Sequence, residues 1–276
     1  MLNNPKMMTV IEFYHPGKKF PSLSVTGDHC ERMCKHCRGH FLKNMVDVST
    51  PEKLRETAED LESENASGFL LSGGFNDKGM VPLDGYYEVL KDIKRKTDLS
   101  VNVHTGVPDE EMTDQLKETG IDMVSYDVIG SEKTIKEVYG LELKPSDIQR
   151  GYELLRSRDM DVVPHITIGL HGGDIQGEYH ALDMVWESEK LVLNTLVPSF
   201  WGGSVGRDDI LEVIETAVER TDADLILGCI RERGRSDTEI EAVKKGVKGI
   251  VLPSRKTRKW VEERYDILEK NVCCCF

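Results

Sequence analysis

Seven cysteines in 276 residues fall into two clusters and one lone position. Three stand at Cys30, Cys34 and Cys37, one at Cys229, and three are adjacent at Cys273, Cys274 and Cys275. Thiolates are soft ligands suited to zinc or to iron–sulfur clusters. Three of them on one short loop leave a four-iron cluster with one iron open to a small molecule, which makes that loop a place for chemistry. A structural zinc site is the competing reading. Zinc takes four ligands, commonly as two separated Cys/His pairs, and His29, His36 or His40 could supply the fourth.

The rest of the chain narrows the setting. Its composition, 39% hydrophobic and 31% charged, is that of an ordinary globular protein. The net charge of -13 removes the basic footprint that a general nucleic-acid-binding role requires. The longest apolar runs, such as 191–197, fall far short of the ~20 residues of a membrane span. Lys6, Glu12 and Lys18 stand where a signal peptide needs an apolar core. A cytoplasmic location is therefore expected. Thiols stay reduced there, so the cysteines point to metal or catalysis rather than disulfides.

Short apolar runs alternate with amphipathic polar stretches, the mark of repeated βα units. Strands are expected at 22–26, 69–72, 100–104, 123–127, 162–168, 191–197, 223–229 and 249–253. Helices are expected at 51–64, 84–96, 109–119, 145–157, 178–187, 207–220, 237–245 and 255–264. Eight of each in a chain of this length predict an α/β fold of the (β/α)8 TIM-type barrel, typically ~250 residues. No linker divides the chain, so the reading is a single-domain barrel over 1–264 with a short cysteine-rich C-terminal tail over 265–276.

In such a barrel the active site lies at the C-terminal ends of the strands. Polar residues crowd there. Ser72, Gly73 and Gly74 end the second expected strand, Asn102 and His104 the third, and Tyr126 and Asp127 the fourth. His165 and Thr167 lie on the fifth, Cys229 and Arg231 end the seventh, and Ser254 and Arg255 end the eighth. The glycine-rich stretches at 171–174 and 201–203 read as loops near the same mouth.

The terminal cysteines could fold back over this mouth towards Cys229. A second iron–sulfur cluster held by Cys229 and two or more of Cys273, Cys274 and Cys275 is then expected. Adjacent residues of an extended chain point in different directions, so all three need not share one cluster. A prenylation signal, a redox thiol pair and, for Cys229, a plain core position are the alternatives. Arg231, Arg233 and Arg235, with Arg255 and its basic neighbours, form an expected patch beside the mouth. Such a patch in an acidic protein would steer an acidic partner or a carboxylate-bearing substrate.

The Cys-x3-Cys-x2-Cys spacing of Cys30, Cys34 and Cys37 on the first loop of a barrel resembles the radical S-adenosylmethionine (SAM) superfamily. The resemblance implies a [4Fe–4S] cluster whose open iron chelates SAM and splits it to a 5′-deoxyadenosyl radical. His36 fills the place of the family's usual aromatic residue before the third cysteine. Ser72-Gly73-Gly74 resembles the Gly-Gly turn that meets the SAM amino group, with Phe75 where an acidic residue is usual. The stretch from His165 through Thr167 to Gly169 resembles the adenine-contacting motif. Asn102, His104 and Asp127 are the remaining candidates for SAM contact.

Over nearly the whole chain the sequence also resembles the smaller subunits of two-component, archaeal-type, biotin-synthase-like lipoyl synthases. It rests on Ser24-Val25-Thr26-Gly27, Cys34-Lys35-His36-Cys37, Val101 to Gly106, Ile168 to His171, Leu227-Gly228-Cys229 with Arg231 and Arg233, and the cysteine-rich end. It implies sulfur insertion into an octanoyl chain on an acidic lipoyl carrier protein, with a second Fe–S cluster as sulfur donor. A companion radical SAM subunit and a ferredoxin- or flavodoxin-type electron donor would be its partners. The alternative is other radical C–H chemistry on a small molecule, such as isomerisation or methyl or carbon transfer, with the terminal cysteines as redox thiols.

Overall fold

Alternation along each strand sorts the side chains between two environments. In β5 (Ser100–His104), Val101 and Val103 are fully buried among helix side chains such as Val89, Leu90 and Leu116, while Asn102 and His104 bond to groups on the neighbouring strand across the sheet's inner face. The computed structural model describes residues 7–197 and 202–276. The residues 198–201, which include Trp201 of an expected loop, lie outside the described ones.

All eight expected strands form. They are β2 (Ser22–Ser24), β4 (Gly68–Ser72), β5, β6 (Met123–Asp127), β7 (Val162–Ile168), β8 (Lys190–Thr195), β9 (Asp224–Leu227) and β10 (Gly249–Val251). Three more join them: β1 (Met7–Tyr14), β3 (Val46–Asp47) and β11 (Tyr265–Lys270). The sheet is entirely parallel, in the order β11-β1-β10-β9-β8-β7-β6-β5-β4-β2-β3.

This order corrects the expectation of a closed eight-stranded barrel. β1 takes the edge of β10 that a closing β2 would need, and β11 then pairs with the free side of β1. Among the described residues no ladder joins the two ends, so the sheet is a curled, open half-barrel. The stretch expected as a tail is likewise changed, because its first part is the edge strand β11.

The helices follow their start signals. Thr50 caps α1 (Pro51–Ser63), accepting from the Lys53 amide, and Asp109 caps α3 (Glu110–Thr119), accepting from the Met112 amide. Such caps are worth about 1 kcal/mol each. α2 (Tyr87–Lys96) lies between them. α4 (Glu132–Thr134) was not expected, and it runs straight into a π-turn over Ile135–Tyr139. α5 (Pro145–Ser157), α6 (Glu178–Met184), α7 (Arg207–Arg220), α8 (Ser236–Lys245) and α9 (Arg255–Glu262) complete the outer layer. No helix of the described residues is long and apolar enough to cross a membrane.

After β11 the chain turns into the lumen. Cys274 and Cys275 are buried there against Tyr14, Val163, Val192, Ile226 and Val251, inward-facing residues of five strands. The Phe276 ring lies 5.4 Å from Phe20, just ahead of β2, so the tail bridges the two ends of the sheet.

Candidate active site

The cysteine loop follows β2 and is held from three sides. Thr26 Oγ1 donates to the His29 carbonyl and accepts from the Gly74 amide, both at 2.8 Å, which ties the loop to the turn after β4. The Phe75 carbonyl accepts from the Glu31 and Arg32 amides. Arg32 donates to the carbonyls of Asp77, Tyr139 and Gly140, and the Lys35 amide donates to Val138, so the loop also docks on the π-turn. π-turns of this kind concentrate at functional sites.

Cys30, Cys34 and Cys37 are free thiols close enough to act on one another electrostatically. Burial, then the charges of Cys37 and Cys30, push the Cys34 thiol up to about 12; burial pushes Cys37 up to about 11. Bare thiolates are costly in this setting, and a metal that deprotonates them supplies the missing positive charge. Beside them His36 packs 5.1 Å from the Tyr139 ring, and its buried Nδ1 has no hydrogen-bond partner among the described residues. Burial holds His36 down at about 4, against the pull of Asp127, so the ring is neutral at pH 7. Three thiols and an unpaired polar atom at the mouth fit an iron–sulfur cluster with a small polar ligand.

Asp127 is the electrostatic centre of the upper lumen. Burial opposes its charge, yet His104, His165 and His36 hold it at about 2. His104 Nε2 stands 3.1 Å from Asp127 Oδ2, and its Nδ1 stands 3.2 Å from Ser72 Oγ. Phe75 packs 5.6 Å from the same imidazole. Ser72, His104 and Asp127 thus form one hydrogen-bonded row beneath the cysteine loop.

Two further expected SAM contacts touch the C-terminal thiols. Asn102 is 1% exposed and bonds to Ser125 Oγ at 2.8 Å and to Cys273 Sγ at 3.3 Å. His165 Nε2 lies 3.9 Å from Cys275 Sγ, which also contacts Ser125 at 3.2 Å. Both side chains face the tail thiols. Thr167, two residues on from His165 along β7, is half-buried. Gly73 and Gly74 form the turn as expected, though Gly74 presses directly on the cysteine loop.

The tail is a turn, closed by the Phe276 amide on the Cys273 carbonyl, and not the extended chain assumed from sequence. That turn lets Cys274 and Cys275 converge with His165: their three ligand atoms lie within 4.8 Å of one another. Among the described residues this is the one such group of three. Cys229, just beyond β9, is exposed and interacts electrostatically with Cys273 and Cys274.

The basic patch needs correction. Arg231 is buried and pairs with Glu239 of α8 at 2.8 Å, both side chains being 5% exposed. Arg233 donates to the carbonyls of Cys229 and Leu252, and Arg235 pairs with Glu232 at 2.6 Å. Arg255 remains exposed. The Arg231–Glu239 pair lies in low-dielectric surroundings, where an ion pair is stronger than in water.

Sequence reading missed Ser125, Arg32, Tyr139 and Lys190. Ser125 was within reach, since alternation on β6 puts it on the face of Asp127. The other three act across segments far apart in sequence and carry no local signal.

The match to the radical SAM superfamily model covers residues 24–184, more than half of the chain. The chain belongs to the radical SAM superfamily, which implies a [4Fe–4S] cluster and SAM. Among curated protein sequences none matches. Among solved structures it is similar to HydG, a maturase of the [FeFe]-hydrogenase, with a TM-score of 0.65 and 15% identity over 92% of this chain and 62% of that one. Methylornithine synthase (PylB) gives a TM-score of 0.60 and 12% identity over 88% and 72%. The HMG-CoA lyase from Brucella melitensis gives 0.58 and 10% identity over 92% and 91%. At these identities the likeness shows the fold. The chain spans about three fifths of the length of the maturase it matches.

Proposed function

We propose that this chain is a radical SAM enzyme that inserts sulfur into an unactivated C–H bond, in the manner of the smaller subunit of a two-component lipoyl synthase. The observation that carries the proposal is the placement of Cys273, Cys274 and Cys275 inside the same lumen whose mouth bears Cys30, Cys34 and Cys37. The cluster and SAM, when bound, supply a 5′-deoxyadenosyl radical, and a second iron–sulfur cluster on the tail supplies the sulfur.

The chain's own residues have definable parts. Cys30, Cys34 and Cys37 hold the first cluster. His36, Ser72, Gly73, Gly74, His104 and Asp127 surround the space for SAM, and the fixed negative charge of Asp127 sits where an ammonium or ribose hydroxyl can be met. The thiols of Cys273, Cys274 and Cys275, with Cys229 nearby, hold the second cluster. The substrate in this reading is an octanoyl chain on an acidic carrier protein that docks near exposed Arg255. A companion radical SAM subunit would add the other sulfur, and a ferredoxin or flavodoxin would supply electrons.

The test is anaerobic turnover with SAM, a strong reductant and an octanoylated carrier peptide, read by mass spectrometry. Added sulfur together with 5′-deoxyadenosine supports the proposal. Deoxyadenosine without added sulfur directs attention to isomerisation or carbon transfer, with the tail thiols as reductants; the Cys273–Cys275 contact is what favours that second reading. No deoxyadenosine under any condition refutes both.

A further inference from the structure

The tail thiols are not alone in the lumen, and the group facing them is an imidazole. His165 Nδ1 stands 3.0 Å from the carbonyl oxygen of Val163. A carbonyl can only accept, so Nδ1 carries a proton and Nε2 is the ring nitrogen that faces another partner. That Nε2 is the atom 3.9 Å from Cys275 Sγ. Metal-binding histidines commonly have their other nitrogen fixed in this way by a backbone carbonyl, which sets both tautomer and ring orientation.

The spacing of the three donors is informative. Ligand atoms at about 2.0–2.3 Å from one tetrahedral metal lie less than ~4 Å apart. The ligand atoms of His165, Cys274 and Cys275 already lie within 4.8 Å of one another. The group is also shielded from water, since Cys274 is 7% and Cys275 2% exposed. Ser125 Oγ, 3.2 Å from Cys275 Sγ, is placed to donate to a metal-bound sulfur.

We propose that His165 is a nitrogen ligand, through Nε2, of the metal centre held on the tail by Cys274 and Cys275. The proposal rests on the reading of a second cluster on the tail and specifies its ligands. His165 therefore leaves the set of SAM contacts and joins the tail site. A neutral imidazole in place of a thiolate removes one negative charge from the centre, and nitrogen for sulfur exchange of this kind raises a cluster's reduction potential.

The test is pulsed EPR of the full chain, reconstituted anaerobically with iron and sulfide, reduced, and produced with natural-abundance or 15N-labelled histidine. A Cys30→Ala, Cys34→Ala, Cys37→Ala variant removes the first cluster so that the tail signal is read alone. The expected result is a directly bound nitrogen coupling that changes on 15N labelling and disappears in His165→Ala. Chemical iron analysis of the wild type and of Cys275→Ala accompanies it, so that a misfolded triple variant does not decide the outcome. A tail-site cluster with no histidine nitrogen coupling overturns the His165 assignment and leaves the second cluster standing. Wild-type protein carrying one cluster's worth of iron, with none lost in Cys275→Ala, overturns the second cluster and the assignment together.

Discussion

A Cβ placed on Gly74 would stand 2.6 Å from the Cα of Cys30 and 2.2 Å from the carbonyl oxygen of His29. The turn after β4 and the cysteine loop are therefore in direct backbone contact, and glycine is what permits it. Gly74→Ala must push the loop away by shifting backbone, at a cost of about 1–3 kcal/mol. The expected outcome is a folded protein with most of the first cluster's iron lost. Gly73→Ala, whose nearest contact is the flexible Val25 side chain at 3.0 Å, should retain more. Iron analysis with circular dichroism checks both, and equal iron in the two variants would show that the contact does not matter.

Arg32 ties the loop to two other segments through the carbonyls of Asp77, Tyr139 and Gly140. Hydrogen bonds from a charged donor are worth about 1.5–3 kcal/mol when buried, and less where water competes as it does here. Arg32→Ala should leave the fold intact and speed iron loss to a chelator several-fold. Arg32→Lys, able to reach one carbonyl but not three, should fall between. Chelation kinetics followed at the cluster's visible absorption measure the order.

The buried pair of Arg231 and Glu239 makes a stability prediction. Removing one partner of such a pair leaves an uncompensated charge and costs about 3–5 kcal/mol. Glu239 also accepts from the Ser254 amide and from Thr257 Oγ1, so Glu239→Ala orphans those donors as well. Replacing Arg231 and Glu239 together by apolar residues should therefore not restore wild-type stability. Urea midpoints of the two single variants and the double variant decide this.

The same pair sets a pH dependence. Burial would raise the Glu239 carboxyl, but the hydrogen bonds from Thr257, Arg231 and the Ser254 amide outweigh it and hold it below its ordinary value of 4.5. A depressed folded pKa means that its stabilisation is fully present above that ordinary value and is lost as pH falls through the lower folded one. The stability gap between wild type and Glu239→Gln should be constant near neutrality and shrink under acid. A gap that widens with acid would contradict the assignment.

The tail is anchored by the Phe276 carbonyl oxygen, which accepts from Lys190 at 2.9 Å and from Lys270 and Tyr14 at 3.2 Å. Lys190→Met removes the shortest of these contacts and leaves the first cysteine loop untouched. Alkylation of Cys274 and Cys275 in the reduced protein should accelerate several-fold, while first-cluster iron stays unchanged. Mass-spectrometric labelling rates read the first and iron analysis the second. Unchanged rates would mean that packing against Phe20 and the lumen residues holds the tail by itself.

Sequence by itself determined what is local. Periodicity and capping residues placed eight strands and eight helices within a few residues of their observed bounds, and the spacing of Cys30, Cys34 and Cys37 pointed to a cluster loop. Each of these is set by neighbours a few positions away. Closure was not legible, because it depends on which strand reaches β10 first. The answer, β1, pairs residues more than two hundred positions apart, such as Phe13 with Ile250. Tertiary structure likewise decided what His165 and Asn102 touch. Their strand and face were readable, but the tail's turn into the lumen carried the thiols to them. Of the arginines that looked free after β9, Arg231 and Arg233 are claimed by acceptors on the loop after β10 and on α8, whereas Arg235 also pairs with its near neighbour Glu232. Local signals are short-range steric and hydrogen-bonding preferences, whereas the composition of the site depends on long-range packing that no window of sequence contains.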